Sequence, residues 1–268
     1  MTESASDKLL TSPQNPWVKD LVKLRKDGNE RRARGRFFLE GRKGVEAALS
    51  SPNARIHELI VCEKYPGADA ALVEQARRKN IRVVEVSKDV FKKLADVESP
   101  QGLAAVVEIP EWELAQILSA PNALVVAACG VQDPGNLGTL IRSCEAAGAA
   151  GLVTLEGSAD PFNAKVVRAT AAGLLSLPQV RLDRRRFLHE ANAQGLRLVA
   201  AVAREGTPYR EFDWSRRPLA LCIGSEGEGL PPEIESACPE RVSIPLRGSA
   251  ESLNAAVAAS ILLFAAQA

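Results

Sequence analysis

Two loops near the end of the chain carry the residue types best suited to hold a ligand. An apolar strand predicted over 219–223 runs into the glycine-rich loop 224–230, with the sequence GSEGEGL, and a second strand, predicted over 242–246, runs into the polar loop 247–254. Glycine at the end of a strand lets the backbone approach a ligand closely and leaves its N–H and C=O groups accessible. Either loop alone is equally typical of an ordinary strand-to-helix turn, since glycine occurs in many turns.

A third polar segment lies upstream, at 131–142, with the sequence VQDPGNLGTLIR. Asn136 follows a turn and is suited to cap the next helix. The spacing predicts a buried stripe on that helix, made of Leu137, Leu140, Ile141 and Cys144. Gly138, Arg142 and Glu145 share another face, where the missing side chain of Gly138 leaves room for a group to dock above Arg142. From spacing alone, a solvent-exposed pair of Arg142 and Glu145 that contributes little stability is the alternative.

The charge of the chain is unevenly distributed. Its net charge is only +1, but the segment Lys19–Lys43 holds ten Lys or Arg against four acidic residues, a local charge of +6. A basic face on a nearly neutral protein favours an anionic polymer such as RNA as partner. A solvated face without a partner is the alternative.

Cysteine, histidine and apolar residues are arranged in ways that argue against several classes of protein. The five cysteines form no C-x-x-C pair, which is typical of free thiols in a reducing compartment. The two histidines are far apart in sequence, so no zinc or haem site is expected. The most apolar stretch, 253–266, would span only about 21 Å as a helix, too short for a membrane. With no apolar signal core at residues 1–10, we expect a cytoplasmic protein without a metal.

Strands and helices alternate along the whole chain, which predicts an α/β fold. The alternation reaches residue 108, is interrupted at 109–121, and resumes from Ala123 with six strands of an open, mostly parallel sheet. We therefore expect a small α/β domain over 1–108, a linker over 109–121 and a second domain over 122–268. The first strand of the second domain is not followed by G-x-G-x-x-G, which argues against a dinucleotide-binding or Rossmann methyltransferase domain.

Taken together, the three polar segments resemble the signature motifs of the SpoU/TrmH family of the SPOUT superfamily. The matching strings are QDPGNLGTLIR, GSEGEGL and IPL followed by SLNAAVAAS. The strings SPQNPWVKDL and RGRFFLEG are similar to the substrate-binding domain that often precedes such a methyltransferase and that is itself similar to an RNA-binding ribosomal-protein fold. The resemblance implies an S-adenosylmethionine-dependent RNA ribose 2′-O-methyltransferase with a trefoil knot, a feature that the residue pattern itself does not reveal.

The resemblance also implies roles for individual residues. The expected cofactor-binding residues are Gly224, Ile244, Leu253, Leu246, Gly229 and Leu230. The expected catalytic residues are Arg142, Asn136, Glu226, Ser252 and Asn254, with Ser252 as a helix cap and Asn254 as a loop brace being the structural alternatives. Arginine is ordinarily a poor base, so the expected role of Arg142 is to hold the target phosphate, orient the hydroxyl and assist proton removal. The expected RNA-binding residues are Arg31, Arg32, Arg34, Arg36, Lys43 and Arg168, although Arg168 also fits an ordinary helix start.

Small residues at 255–260 let the last helix pack closely against a neighbour, either within the chain or, as the resemblance implies, in a homodimer. The resemblance of the basic first domain to modules that grip structured RNA implies ribosomal RNA of the large subunit (23S) as substrate. Transfer RNA is the alternative substrate, and a non-catalytic RNA-binding or ribosome-assembly factor is the alternative function. A small-molecule enzyme with a phosphate loop is disfavoured, because no G-x-x-x-x-G-K-[ST] occurs in the sequence.

Overall fold

The structure, a computed structural model, describes residues 9–64, 70–170 and 173–267. Its backbone divides into two compact units. Unit 1 comprises Met1–Ile109 together with Phe162–Leu175, and unit 2 comprises Pro110–Pro161 together with Ser176–Ala268. The return of a short segment to unit 1 in the middle of unit 2 was not predicted from the sequence.

The elements before residue 109 form a small α/β unit around a four-stranded sheet. They are α1 (Pro16–Lys26), α2 (Gly28–Arg34), β1 (Arg36–Glu40), α3 (Arg42–Ser50), β2 (Ile56–Cys62), α4 (Ala70–Arg78), β3 (Arg82–Val86), α5 (Lys88–Leu94) and β4 (Leu103–Glu108). The strand order is β1-β4-β2-β3, in which β4 is antiparallel to both neighbours and β2 is parallel to β3. The apolar faces of α1 and α5 and the sheet enclose a core that includes Phe38 and Phe91.

Two helices, rather than one, carry the basic residues at the start of the chain. Helix α1 ends at Lys26, and Asp27 begins α2 by accepting a hydrogen bond from the amide of Asn29 (2.8 Å). The basic segment Lys19–Lys43 was expected from the sequence only as a charged stretch, without this break. The break matters because it turns Arg31 back toward the end of α1.

Unit 2 is built on a parallel sheet. The remaining elements of the chain are α6 (Leu114–Leu118), β5 (Leu124–Cys129), α7 (Pro134–Ala146), β6 (Gly151–Leu155), α8 (Ala164–Thr170), α9 (Gly173–Ser176), β7 (Gln179–Leu182), α10 (Arg184–Ala193), β8 (Arg197–Val202), β9 (Thr207–Pro208), β10 (Leu219–Gly224), α11 (Pro232–Ala237), β11 (Glu240–Ser243) and α12 (Ala255–Ala265). The strand order is β7-β6-β5-β10-β8-β11-β9, and every recorded pairing is parallel. The predicted α/β class and mostly parallel sheet are confirmed.

The differences from the sequence analysis in unit 2 concern short elements and ends. The two-residue strand β9 and the helix α11 were not predicted. The strand expected over 242–246 ends at Ser243, so that Ile244 and Leu246 lie in the loop that follows. Pro245 lacks the N–H that a continuing ladder needs, which accounts for the early end.

Helix α8 belongs to unit 1 although it lies between two strands of unit 2. Val166, Val167 and Thr170 are almost completely buried, at 0, 2 and 1% exposure. Ahead of the helix, the ring of Phe162 contacts that of Phe37 on β1, with 5.1 Å between centroids. The 162–175 segment is therefore part of the core of unit 1.

Candidate active site

A cavity of about 370 Å³ opens at the carboxyl ends of three neighbouring strands of unit 2, β8, β10 and β11. In open parallel sheets this edge is where ligands bind. All six residues predicted to bind the cofactor line the cavity: Gly224, Gly229, Leu230, Ile244, Leu246 and Leu253. The structure therefore brings together the residues that the sequence placed in two separate loops.

The glycine-rich loop owes its shape to Gly224 and Gly229. Ser225 and Gly229 exchange two backbone hydrogen bonds of 3.0 and 3.1 Å, which fold the loop back on itself. A Cβ on Gly224 would lie 2.2 Å from the carbonyl carbon of Gly229, and Gly229 has a φ of +70°. Both positions thus require glycine for the loop's own conformation.

The walls of the cavity are mainly apolar. Two of the residues that line it also carry main-chain groups without a backbone hydrogen-bond partner among the described residues. Leu246 and Leu253 form no backbone hydrogen bond to another described residue, so their N–H and C=O groups are free for a ligand. Sequence reasoning missed a further wall formed by Ala201, Val202 and Ala203 at the end of β8. These small apolar residues form an unremarkable strand end, and only the strand order shows that they lie beside β10.

Three polar side chains from distant parts of the chain meet beside this cavity. Asn136 donates from Nδ2 to Oε1 of Glu226 (2.9 Å), and Asn254 donates to Oδ1 of Asn136 (2.9 Å) and also to Oε1 of Glu226. Asn136 and Glu226 line a second cavity of about 280 Å³, which shares residues 225–228 and Ala255 with the first. The closed set of hydrogen bonds fixes α7, the glycine-rich loop and the start of α12 relative to one another.

The structure shows which residues cap the amino-terminal ends of α7 and α12. Asp133, not Asn136, caps α7, since its Oδ1 accepts from the amide of Asn136 (2.8 Å). This leaves the Asn136 side chain free for Glu226. Asn254 caps α12, because its Oδ1 accepts from the amides of Ala256 and Val257. Ser252, the other candidate cap, is exposed and lines the first cavity.

Arg142 lies on α7 but lines neither of the two cavities. Its side chain is exposed and forms no hydrogen bond or ion pair within residues 9–64, 70–170 and 173–267, so the alternative considered from spacing, a pair with Glu145, does not form. The predicted apolar stripe of α7 is buried, and α7 packs against α12, where Ser143 and Ser260 are joined by a hydrogen bond of 2.6 Å. Arg142 is thus available to a group outside this chain.

Helix α12 presents an apolar face that this chain leaves uncovered. Val257 is 47% exposed and Phe264 is 55% exposed, and Ile261, half-buried, lies between them on the same face at helical spacing. The opposite face packs within the chain through Ala256 and Ala259. The small residues therefore do serve packing within the chain, and a second apolar face remains.

The predicted RNA-binding arginines of α2 differ in their availability. Arg31 is only 3% exposed and donates to the carbonyl oxygens of Leu24 (3.1 Å) and Arg25 (2.6 Å), which caps the end of α1. Its assignment to RNA contact is therefore wrong. Arg34 is exposed but paired with Glu30 (2.8 Å) and Asp20 (3.3 Å).

The remaining predicted RNA-binding residues are also placed by the structure. Arg32 is exposed and contacts Asn29, and Arg36 is exposed on β1 without an ion pair to any described residue. Arg168 donates to Asp96 (2.8 Å) and lies with Lys43 around a cavity in unit 1. Asn163 accepts from the amides of Lys165 and Val166 at the start of α8, as expected for an ordinary helix start.

Burial raises the pKa of several cysteine thiols, including Cys144 and Cys62. All five cysteines are free and buried. Among the described residues, no group of three or more His, Cys, Asp or Glu is arranged to hold a metal. Within the same part of the chain, no helix has the length and apolar character needed to cross a bilayer.

Comparison with known sequence families gives two matches that together span most of the chain. Residues 123–264 match the SpoU rRNA Methylase family, and residues 15–105 match the MRM3-like substrate binding domain. Among curated relatives, the 23S rRNA (guanosine(2553)-2′-O)-methyltransferase RlmP of Bacillus subtilis (strain 168) is 36% identical over 257 residues, which cover 96% of this chain and 98% of that protein.

Solved structures of similar chains share the fold over nearly the whole length. The AdoMet-bound rRNA methyltransferase from Sinorhizobium meliloti is 32% identical with a TM-score of 0.85, covering 97% of each chain. The SpoU methyltransferase AviRb from Streptomyces viridochromogenes, in complex with the cofactor AdoMet, is 28% identical with a TM-score of 0.84, covering 94% of this chain and 98% of that one.

Proposed function

The chain belongs to the SpoU rRNA methylase family, and we propose that it transfers a methyl group from S-adenosylmethionine to a ribose 2′-hydroxyl of 23S ribosomal RNA. The observation that carries this proposal is the cavity at the ends of β8, β10 and β11, lined by every predicted cofactor residue. The relatives named above act on ribosomal RNA or bind AdoMet, and they cover almost the full chain.

The residues around the cavity suit S-adenosylmethionine. Its volume lies within the range of small-molecule sites. Ile244, Leu246 and Leu253 offer apolar surface to adenine, and the free main-chain groups of Leu246 and Leu253 can bond its polar edge. When bound, the cofactor supplies a methyl group activated by a sulfonium.

The polar residues hold the site in the shape that methyl transfer requires. Glu226 fixes the glycine-rich loop by accepting from Asn136 and Asn254, which positions the mouth of the cavity. Ser252 is exposed and lines the cavity, and in this proposal it contacts the substrate ribose. Arg142 holds the target phosphate, orients the hydroxyl and assists removal of its proton in a site closed to water.

The protein acts as a homodimer in this proposal. Arg142 is exposed and lines neither cavity of its own chain, while α12 presents Val257 and Phe264 to solvent. A second copy packed on the face of α12 would cover these apolar side chains and would bring Arg142 of one chain to the cavity of the other. The trefoil knot and a cytoplasmic location, the latter supported by five buried free thiols, belong to the same proposal.

Ribosomal RNA is favoured over transfer RNA because unit 1 matches a substrate binding domain and the full-length relative from B. subtilis is named for 23S rRNA. The alternative of a non-catalytic RNA-binding factor is disfavoured by the intact hydrogen-bonded set of Asn136, Glu226 and Asn254.

The test is methyl transfer in vitro. The purified protein is incubated with radiolabelled S-adenosylmethionine and with unmodified 23S rRNA, 16S rRNA or total tRNA, and the modified nucleotide is mapped by its resistance to alkaline cleavage. We expect label in 23S rRNA at a ribose, lost in Arg142→Ala. Label confined to tRNA would show that tRNA, and not 23S rRNA, is the substrate. Binding of 23S rRNA without methyl transfer would favour the non-catalytic function.

A further inference from the structure

Unit 1 contains a cavity of about 310 Å³ that the proposed function leaves without a role. It lies where β1 ends and α3 begins, and the loop before β4 and helix α8 close its other sides. Its volume reaches the lower end of the range of small-molecule sites. The wall combines apolar residues, Leu39, Val97 and Val167, with polar and charged ones.

Glu40, one of the residues that line the cavity, carries a buried oxygen without a partner among the described residues. Glu40 accepts a hydrogen bond at Oε2 from the amide of Asp96 (2.9 Å), while its Oε1 is buried and has no hydrogen-bond partner among the described residues. A buried acceptor left unpaired is costly, and a ligand N–H group would remove that cost. The position favours a ligand that donates hydrogen bonds.

The rim of the cavity offers donors. Gln101 uses Oε1 to accept from the amide of Arg42 (2.9 Å), and its Nε2 group has no hydrogen-bond partner among the described residues. The ammonium of Lys43 is exposed and unpaired among the same residues. Arg168 is held at the cavity by Asp96. These groups suit carbonyl and phosphate oxygens.

A flat ligand with apolar faces, N–H donors and a neighbouring carbonyl oxygen matches this arrangement. Among RNA bases, guanine carries adjacent N1–H and N2–H groups beside O6. Bases that are not stacked are read in this way in single-stranded RNA, by apolar contact with their faces and hydrogen bonds to their edges. Uracil lacks the amino group that would reach Glu40.

We propose that this cavity binds an unstacked guanine of the substrate RNA, with Glu40 accepting from the base and Lys43 and Gln101 donating to its oxygens or phosphate. The proposed guanine site belongs to unit 1, whereas the cofactor cavity belongs to unit 2. The inference rests on the proposed function, in that RNA is the substrate. It assigns to unit 1 a base-reading role beyond attraction to the phosphate backbone.

The test measures binding of the full-length protein to fluorescein-labelled uridine ribononamers that carry guanosine, adenosine, cytidine, uridine or an abasic ribose at the centre. We expect the guanosine nonamer to bind more tightly than the uridine nonamer, on the order of tenfold, and the abasic nonamer to match uridine. Affinity that does not depend on the central base, or that is highest for another base, would overturn the proposal.

Two variants test the cavity from opposite walls. In Glu40→Gln the amide oxygen stays with the amide of Asp96, so an NH2 group replaces Oε1 and opposes the base donors. Val97→Phe fills the cavity instead. Both should lose the guanosine preference while thermal unfolding shows them folded. Glu46→Gln, which is exposed on α3 and outside the cavity, should keep the guanosine preference. Retention of that preference in both cavity variants would contradict the proposed site.

The outcomes separate this inference from the proposed function. Loss of guanosine preference should leave S-adenosylmethionine binding intact, and it should raise KM for ribosomal RNA more than it lowers kcat. A wild-type protein that prefers guanosine but transfers no methyl group would refute the enzymatic function alone. One that methylates rRNA with no base preference would refute the guanine site alone.

Discussion

The amide Nδ2 of Asn136 donates a hydrogen bond of 2.9 Å to Oε1 of Glu226, which lies 90 residues further along the chain. The same carboxylate oxygen accepts from Asn254, so one atom joins the start of α7, the loop after β10 and the start of α12. Each of these side chains comes from a different sequence motif. Their junction makes the three motifs one structural element.

Removal of this carboxylate should impair catalysis more than folding. Glu226→Ala deletes the acceptor of two amide groups, and hydrogen bonds to a charged group contribute about 1.5–3 kcal/mol each when buried. Because this set is exposed, we expect a smaller effect, a loss of on the order of tenfold in kcat/KM. Steady-state methyl transfer measures it. Glu251→Ala, exposed in the loop before α12, is the control, and an equal loss in that variant would remove the special role of Glu226.

Gly224 should tolerate no side chain. A methyl group there would lie 2.2 Å from the carbonyl carbon of Gly229, so Gly224→Ala must displace the loop that lines the cofactor cavity. Calorimetric titration should show S-adenosylmethionine affinity reduced by at least about tenfold, since a shift of that size costs well over 1 kcal/mol. Gly248→Ala, with no atom within 4 Å of the added carbon, should bind normally. Normal binding by Gly224→Ala would show that the loop adapts.

Two arginines of unit 1 should separate stability from RNA binding. Arg31→Ala removes a buried cap of α1 and leaves two carbonyl oxygens unpaired, so we expect a loss of roughly 3 kcal/mol in the free energy of unfolding. Arg36→Ala alters an exposed, unpaired residue and should reduce RNA affinity and its salt dependence without changing stability. Denaturant unfolding measures the change in stability, and RNA binding at several salt concentrations measures the change in affinity and in its salt dependence. The opposite pattern would return Arg31 to the RNA-binding face.

Arg142 and the cofactor cavity should complement each other between subunits. At an S-adenosylmethionine concentration well below the weakened Kd of Gly224→Ala, Arg142→Ala and Gly224→Ala are each expected to be nearly inactive. A mixed dimer would contain one site with an intact cavity from the first chain and an intact arginine from the second. Co-refolding the two variants in equal amounts should recover roughly a quarter of the wild-type activity, as expected for random pairing in a symmetric dimer. No recovery, despite mixed dimers seen by affinity tags, would place Arg142 in its own chain's site.

The stability of unit 1 should depend on the ionisation of Glu40. Burial raises the pKa of this carboxyl above 4.5, although the Asp96 amide and the charges of Arg168 and Arg25 oppose the shift. The folded state therefore binds the proton more tightly than the unfolded state, and the free energy of unfolding falls as pH rises from about 4.5 through the raised pKa. Glu40→Gln should flatten this dependence in thermal unfolding, while Glu46→Gln should retain it. If the stability of wild type and Glu40→Gln depended on pH in the same way, the raised pKa of Glu40 would be disproved.

The loop residues that line the cavity could be predicted as a group because they are local in sequence. Gly224 ends β10, Leu230 closes the short loop after it, and Ile244 directly follows β11. Parallel strands bring such ends to one edge of a sheet. The wall formed by Ala201–Ala203 could not be predicted, because it depends on β8 lying between β10 and β11. Strand order results from crossovers that local propensity does not encode.

The roles of individual polar residues were harder to predict than their positions. Asn136 was expected to cap α7, but Asp133, three residues earlier, does so and frees the amide for Glu226. Arg31 looked like its neighbours Arg32 and Arg34, and only the break between α1 and α2 shows that it points inward. In both cases a shift of a few residues in a helix start decides which side chains face solvent.

The contribution of 162–175 to the core of unit 1 limits how this protein can be divided. The methylase family match begins at residue 123 and includes α8, yet Val166 and Val167 are buried within the unit to which the first 109 residues belong. A fragment cut at the family boundary would expose these side chains, and the remaining amino-terminal piece would lack part of its interior. Chimeras between relatives should therefore exchange 162–175 together with the amino-terminal half. In this chain the boundary of the sequence family and the boundary of the folded unit do not coincide.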